Sequence, residues 1–221
     1  MDFIFMLTRG DMTVEDCLEV MDVIEPVGLK HIGFKDVGVE KPVLKKLAER
    51  IKGAGAVSYI EVVSTTPESC LNSARVAAEI GIDRLLGGTI AAEILEVVKG
   101  TGIAYHPFPG RPEGHPTRLG GTPESVAADC RRFEELGCAG VDLLAYRAFE
   151  SDPIALVRAA RGATKGNLIA AGSVDSPERI QALKDAGADA FTIGSAAFDG
   201  SFSKRKGALN SQLRDILAAC G

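Results

Sequence analysis

Three times in 221 residues a hydroxyl side chain is followed by proline and glutamate: Thr66-Pro67-Glu68-Ser69, Thr122-Pro123-Glu124-Ser125 and Ser176-Pro177-Glu178. Each has the chemistry of a helix start. The hydroxyl can cap free N–H groups, proline is tolerated at the first helical position, and the glutamate suits the positive end of the helix dipole. Thr66 and Thr122 lie 56 residues apart, and Thr122 and Ser176 lie 54 apart. So even a recurrence marks stacked units, here two units of about 27–28 residues per repeat.

Apolar runs of strand length recur between these starts: Phe3–Leu7, His31–Phe34, Val57–Val63, Arg84–Leu86, Ile103–Tyr105, Val141–Tyr146, Leu168–Ala171 and Ala190–Ile193. Helical patterns fill the intervals at Thr13–Ile24, Pro42–Ile51, Pro67–Ile80, Ala91–Val98, Pro123–Leu136, Pro153–Ala160 and Pro177–Ala186. Strands alternating with helices give βαβ units and a parallel sheet. Gly28, Gly55, Gly81, Gly102, Gly137, Gly166 and Gly187 each stand between a helix end and the next strand, where a left-handed residue closes a helix. These seven junctions plus the opening strand predict eight strands, and Leu209–Ala219 supplies a last helix. The reading is an α/β chain forming a single (β/α)8 TIM barrel over residues 1–221. A doubly wound open sheet also alternates strands and helices. It rarely needs eight such regular units, and no G-x-G-x-x-G follows the first strand here.

Composition narrows the partners. A chain this long buries about 70% of its unfolded surface, so it needs neither disulfide nor metal to hold it together. Five cysteines without a C-x-x-C fit neither a disulfide framework nor a zinc knuckle, and no metal-ligand spacing such as E-x-x-H is present. A net charge of -5 matches a nucleic-acid backbone poorly. The apolar stretches fall short of the ~20 residues that span a bilayer, and Met1–Met6 lacks a basic leader. A cytoplasmic protein with a small-molecule ligand is expected, with no nucleic-acid or membrane partner, and homo-oligomer formation is left open.

In such a barrel the site forms at the C-terminal ends of the strands. Those ends read Thr8-Arg9-Gly10-Asp11, Lys35-Asp36, Glu61 through Thr65, Gly87-Gly88-Thr89, His106-Pro107, Tyr146-Arg147, Gly172-Ser173 and Gly194-Ser195. Polar side chains and glycines gather there, while the opposite ends carry helix-closing glycines. Gly172-Ser173 and Gly194-Ser195, closing the last two strands, would let backbone N–H groups converge on a phosphate dianion. Plain turns are the alternative use of those glycines.

The stretch Asn167–Phe198, NLIAAGSVDSPERIQALKDAGADAFTIGSAAF, resembles the C-terminal quarter of the ribulose-phosphate-binding barrels. That superfamily includes phosphosugar isomerases, epimerases and synthases. The resemblance implies that Gly172, Ser173, Gly194 and Ser195 hold a substrate phosphate. Flavin-phosphate barrels use a related site, so the phosphate of FMN is an alternative occupant, although no cofactor is called for. Ala171 departs from the glutamate of the N-acetylmannosamine-6-phosphate epimerases.

Lys35, Glu61 and His106 are the catalytic candidates. A strand-end lysine can stabilise an oxyanion or form a Schiff base. A strand carboxylate is too costly against the apolar helix layer, so Glu61 should face inward as a base or as the partner of Lys35. His106 titrates near neutral pH and suits proton transfer. Asp142 reads as a structural interior group, and Asp11 as part of the approach to the helix cap Thr13-Val14-Glu15-Asp16. Thr89, Tyr146 and Arg111 are candidate substrate contacts. Residues 107–122, with four prolines and four glycines, read as a helix-free lid or a subunit contact, and Arg111, His115 and Arg118 could meet an anion there.

Two functions fit this inventory. One is an enzyme that abstracts a proton beside a carbonyl of a small phosphorylated compound, as an isomerase, epimerase or aldolase-type lyase. The other is a regulator that senses a phosphoester on the same barrel, since Phe3–Asp11 with LTRGD resembles the glycerol-3-phosphate-responsive antiterminators. An FMN-dependent oxidoreductase is a third reading.

Overall fold

The computed structural model describes residues 1–64 and 66–221. Its centre is a barrel of eight strands: β1 (Asp2–Met6), β2 (His31–Lys35), β3 (Val57–Val62), β4 (Arg84–Gly87), β5 (Ala104–His106), β6 (Gly140–Leu143), β7 (Asn167–Ala170) and β8 (Ala190–Ile193). They form one sheet in the order β6-β7-β8-β1-β2-β3-β4-β5, parallel throughout. The circle closes between β5 and β6 without a regular ladder, through backbone bonds from Ala139 N–H to Tyr105 O and from Asp142 N–H to Pro107 O, both 3.0 Å.

Alternation along each strand sorts the core into two layers. On β1, Phe3 and Phe5 join the large cluster under the helices, while Ile4 and Met6 join a smaller one with Tyr59, Leu86, Ile169 and Ala190 inside the barrel. Gly33 makes that filling possible. A Cβ there would come within 2.5 Å of Met6 Sδ and 3.1 Å of Tyr59 Cβ.

The helices are α1 (Cys17–Ile24), α2 (Lys41–Gly53), α3 (Pro67–Ile80), α4 (Ala91–Val98), α5 (Pro123–Leu136), α6 (Pro153–Ala163), α7 (Pro177–Ala186), the single-turn α8 (Ser195–Phe198) and α9 (Leu209–Ala219). Thr66, Thr122 and Ser176 cap α3, α5 and α7, each side chain accepting the N–H three residues on, at 3.4, 3.3 and 3.4 Å. Six of the seven junction glycines are left-handed. Gly166 is the exception. It is a point of close approach, where a Cβ would lie 2.9 Å from Gly140 Cα.

Two expectations need correction. Helix α1 starts at Cys17 rather than Thr13, because Met12–Thr13 pairs with Thr8–Arg9 as a small antiparallel hairpin. Strand β6 stops at Leu143, and a short 3-10 turn, Ala145–Arg147, replaces its expected end. Residues 107–122 hold a second hairpin, Arg111–Glu113 against Arg118–Gly120. Of the expected strand-end run after Glu61, Thr65 lies outside the described residues. No described helix is long and apolar enough to cross a membrane.

Candidate active site

The site is built from the mouth hairpin inward. Gly10 and Asp11 occupy its two-residue turn with φ of 57° and 62°, the pair of left-handed residues that a type I′ hairpin requires. Aspartate tolerates that conformation better than most side chains. The turn sends the Asp11 carboxylate into the barrel mouth, where the side chain is only 3% exposed. Thr13 clamps the neighbouring strand, its hydroxyl donating to Lys35 O at 2.8 Å and accepting from Lys35 N–H at 2.9 Å.

Lys35 and Glu61 are register partners on β2 and β3 and face the interior side by side. The Lys35 ammonium lies 2.9 Å from Glu61 Oε1 and 2.9 Å from Asp11 Oδ1. Asp11 in turn receives both guanidinium nitrogens of Arg147, at 2.5 and 2.7 Å. The result is one continuous chain of alternating charge: Glu61, Lys35, Asp11, Arg147. Burial by itself would pull the Lys35 ammonium down, but the two carboxylates prevail and push its pKa above the usual lysine value. Burial would likewise raise Asp11, yet the hydrogen bonds and charges of Arg147 and Lys35 hold it well below the usual carboxylate range. Both groups therefore carry full charge at neutral pH. Lys35 is an ammonium rather than a free amine, which suits electrostatic stabilisation and disfavours a resting Schiff-base nucleophile.

This chain borders a cavity of about 270 Å³. Gly172-Ser173 and Gly194-Ser195 line it as well, with Thr192 and Thr8. Each glycine is there because a neighbour comes too close for a side chain. At Gly172 (φ 77°) a Cβ would meet the Arg147 side chain at 2.4 Å, and at Gly194 it would meet Thr8 O at 2.8 Å. Ser173 continues the left-handed turn with φ 57°. The N–H groups of Ser195 and Ala196 open α8 and have no intrahelical acceptor. Asp175 and Asp199 also reach this wall, paired with Arg179 at 3.1 Å and Arg9 at 3.0 Å.

The structure thus brings six of the sequence candidates to one cavity: Lys35, Glu61, Gly172, Ser173, Gly194 and Ser195. His106 is not among its lining residues. It faces the closed interior beside Leu86, fully buried, with Nδ1 3.2 Å from Ala104 O. Burial, with the nearby Arg84 charge, lowers its pKa to about 4, so it is a neutral imidazole at physiological pH. Thr89 is half-buried beside Cys70. Arg111 is an exposed partner of Glu150 at 2.6 Å and lies off the cavity. Tyr146 lies in an adjoining outer hollow, its hydroxyl 3.4 Å from Arg179 O. Lys35 pairs with Asp11 and Glu61 rather than Asp36, whose carboxylate accepts from Val63 N–H at 3.0 Å and from the Ser73 hydroxyl.

Asp11 and Arg147 are the site residues that sequence reading passed over. The signal for Asp11 was a Gly-Asp pair flanked by two threonines at turn spacing. Arg147 stands among the strand-end residues, but no local signal pairs it with Asp11, 136 residues away.

No family model matches the chain, and no curated protein does. Solved structures are similar over the whole chain. A native KDPGal structure superposes with a TM-score of 0.68 at 16% identity, covering 99% of this chain and 96% of that one. Orotidine 5′-phosphate decarboxylase from Pyrococcus horikoshii OT3 gives 0.67 at 13% identity, covering 99% and 98%. A 3-hexulose-6-phosphate synthase gives 0.66 at 14% identity, covering 100% of both. At such identities the likeness is one of fold. It is a (β/α)8 barrel, and the likeness extends well beyond the final quarter that carries the sequence resemblance.

Proposed function

We propose that this protein is an enzyme that abstracts a proton beside the carbonyl of a small phosphorylated sugar or related compound. One observation carries the reading: a buried chain of four charges and two glycine-serine turns line the same cavity of about 270 Å³. Stability does not call for such a chain, since a well-packed apolar cluster is commonly as stable as a buried ion network. Catalysis does call for it. Orotidine 5′-phosphate decarboxylase and 3-hexulose-6-phosphate synthase, both named for phosphorylated compounds, share the fold and lend support.

In this reading the substrate phosphate sits against the backbone of Gly172-Ser173 and Gly194-Ser195, which places the carbon chain over the floor of the mouth. Glu61 takes the proton from the carbon beside the carbonyl. The C–H electron pair becomes a carbon–carbon double bond and the carbonyl π pair moves onto oxygen, giving an enediolate where the deprotonated carbon bears a hydroxyl. Lys35 and Arg147 stabilise that oxyanion in a site shielded from water. Return of the proton to the same carbon or its neighbour gives epimerisation or isomerisation. In the lyase outcome Glu61 instead takes the proton of the hydroxyl β to the carbonyl, and that oxygen becomes a carbonyl as the Cα–Cβ bond breaks. The bond's electron pair leaves the other fragment as an enolate held by the same cations.

The test is solvent exchange. Incubated in D2O with a panel of phosphorylated aldoses and ketoses, the wild type should exchange a carbon-bound proton of at least one compound, read by NMR. Glu61→Gln should lower that rate by about 10²–10⁴-fold while retaining binding. A second reading has its own support: every floor charge is already satisfied internally, as befits a receptor with no turnover. A phosphoester sensor would bind a compound in this panel without exchanging it, and binding would survive Lys35→Ala and Glu61→Ala.

A further inference from the structure

A second hollow opens beside the cavity, and its chemistry points to a feature of the substrate. About 370 Å³ in volume, it lies between the 107–122 loop and the turn after β6. Arg147 and Ser173 line both spaces, so the two adjoin at these side chains. The outer one adds Thr117, Arg118 and Tyr146.

The loop is tied down at this point. Thr117 N–H donates to Asp11 Oδ2 at 3.2 Å, and Arg147 donates to Thr117 O at 3.2 Å. Leu119 is buried, and its carbonyl accepts from Phe149 N–H at 3.2 Å. With Thr117 and Leu119 both turned into the protein, extended backbone projects Arg118 to the opposite side. Its guanidinium lies 4.3 Å from the centre of the Phe149 ring. That stacking fixes the plane of the fork and leaves its N–H edges facing outward.

Charge pairing singles this residue out. Lys35 and Arg147, the other cations of the two hollows, are bound to carboxylates. Arg118 has no carboxylate or hydrogen-bond acceptor among the described residues. Arg179, whose guanidinium lies over the Tyr146 ring at 4.7 Å, is paired with Asp175. A guanidinium held against an aromatic ring, without an acceptor and lining a space that adjoins the site, is a receptor for an oxyanion.

We infer that the substrate carries a second anionic group, remote from the phosphate held at Gly172-Ser173 and Gly194-Ser195, and that Arg118 binds it in the outer hollow. The ligand class is a doubly anionic sugar derivative, either a bisphosphate or a phosphorylated sugar acid. This rests on the phosphate position proposed above and adds the specificity-determining contact at the far end.

The test uses the full-length protein and three probes: ribulose 5-phosphate, ribulose 1,5-bisphosphate and 6-phosphogluconate. Wild type should bind at least one doubly anionic probe about tenfold or more tightly than the monophosphate, and which one it prefers tells a second phosphate from a carboxylate. Arg118→Gln should erase that preference while leaving monophosphate affinity within about twofold, and Arg118→Lys should restore part of it. A preference unchanged in Arg118→Gln overturns the inference, as does wild-type affinity that ignores the second anion. Ser195→Asp, which sets a carboxylate against the phosphate, should weaken all three probes. If Ser195→Asp does so but Arg118→Gln has no selective effect, only the outer contact fails. If no probe binds, or Ser195→Asp changes nothing, the phosphate site itself falls.

Discussion

Two groups of buried ionisable side chains lie within this barrel, and they are handled in opposite ways. At the mouth, Glu61, Lys35, Asp11 and Arg147 are linked end to end by contacts of 2.5–2.9 Å, each carboxylate against a cation. Deeper, near the seam where β5 and β6 meet without a ladder, Asp142 and His106 are fully buried and poorly partnered. Both Asp142 oxygens and His106 Nε2 lack a hydrogen-bond partner among the described residues. Burial pushes the Asp142 carboxyl well above its ordinary value, the Glu61 charge adds to this, and Lys35 and Arg147 only partly oppose it. Burial likewise strips His106 of its proton. The mouth thus keeps its charges and the seam gives them up. Neutralisation is the cheaper solution for an isolated buried group, so the retained charges mark the place where charge is used.

The sharpest way to break this contrast is to remove the cation at the centre of the mouth. Lys35→Met leaves Glu61 and Asp11 facing each other without the ammonium between them. Loss of one partner from a buried ion network typically costs about 3–5 kcal/mol. Denaturant unfolding at pH 7 should show a loss of that order, and solvent exchange should fall by about 10²–10³-fold with the oxyanion donor gone. Lys35→Met combined with Glu61→Gln should recover part of the stability and none of the activity. If the single substitution is neutral in both assays, the chain of charges is ornamental and the proposed chemistry loses its basis.

The contrast also explains what was legible in the sequence. Strand alternation, proline-marked helix starts and glycine junctions are local signals, and they specify eight units without any knowledge of packing. Lys35, Glu61 and the two glycine-serine pairs were readable for the same reason, as polar or small residues at strand ends. The network itself was not. Asp11 looked like an approach to a helix because its hairpin has only two residues in each strand. Arg147 sits on a 3-10 turn where continued alternation pointed to strand, and its pairing depends on ring closure. His106 shows the converse limit. Strand-end position suggests access to the mouth, but whether a side chain there reaches solvent depends on what the neighbouring strands place above it.

A smaller effect should appear at the seam. His106 is neutral when folded, with its pKa lowered to about 4, whereas the unfolded chain takes up a proton near pH 6.5. Between those values the unfolded state binds more protons, so stability should fall as pH drops from about 6.5 towards 4 and then level off. The limiting slope is about 1.4 kcal/mol per pH unit, or up to about 3 kcal/mol over the window. His106→Leu should flatten that acid limb in denaturant titrations at a series of pH values. An unchanged limb would mean that His106 stays protonated when folded and has found a partner.

Asp142 should give the smallest effect, with the opposite pH dependence. Its folded pKa is raised, so the unfolded chain ionises first, above about pH 3.9, and stability falls as pH rises from there towards the folded value. Asn cannot ionise and removes that loss. Asp142→Asn should therefore fall below the wild type near pH 4, where its extra amide N–H is left unpartnered, and become the more stable of the two at pH 7. The gain is limited because the carboxamide inherits the same unpartnered setting. A thermal unfolding series from pH 4 to pH 8 separates the outcomes. If Asp142→Asn instead loses stability at pH 7, Asp142 is an anion there, drawn into the field of Lys35 and Arg147. The seam would then belong to the same charged machine as the mouth.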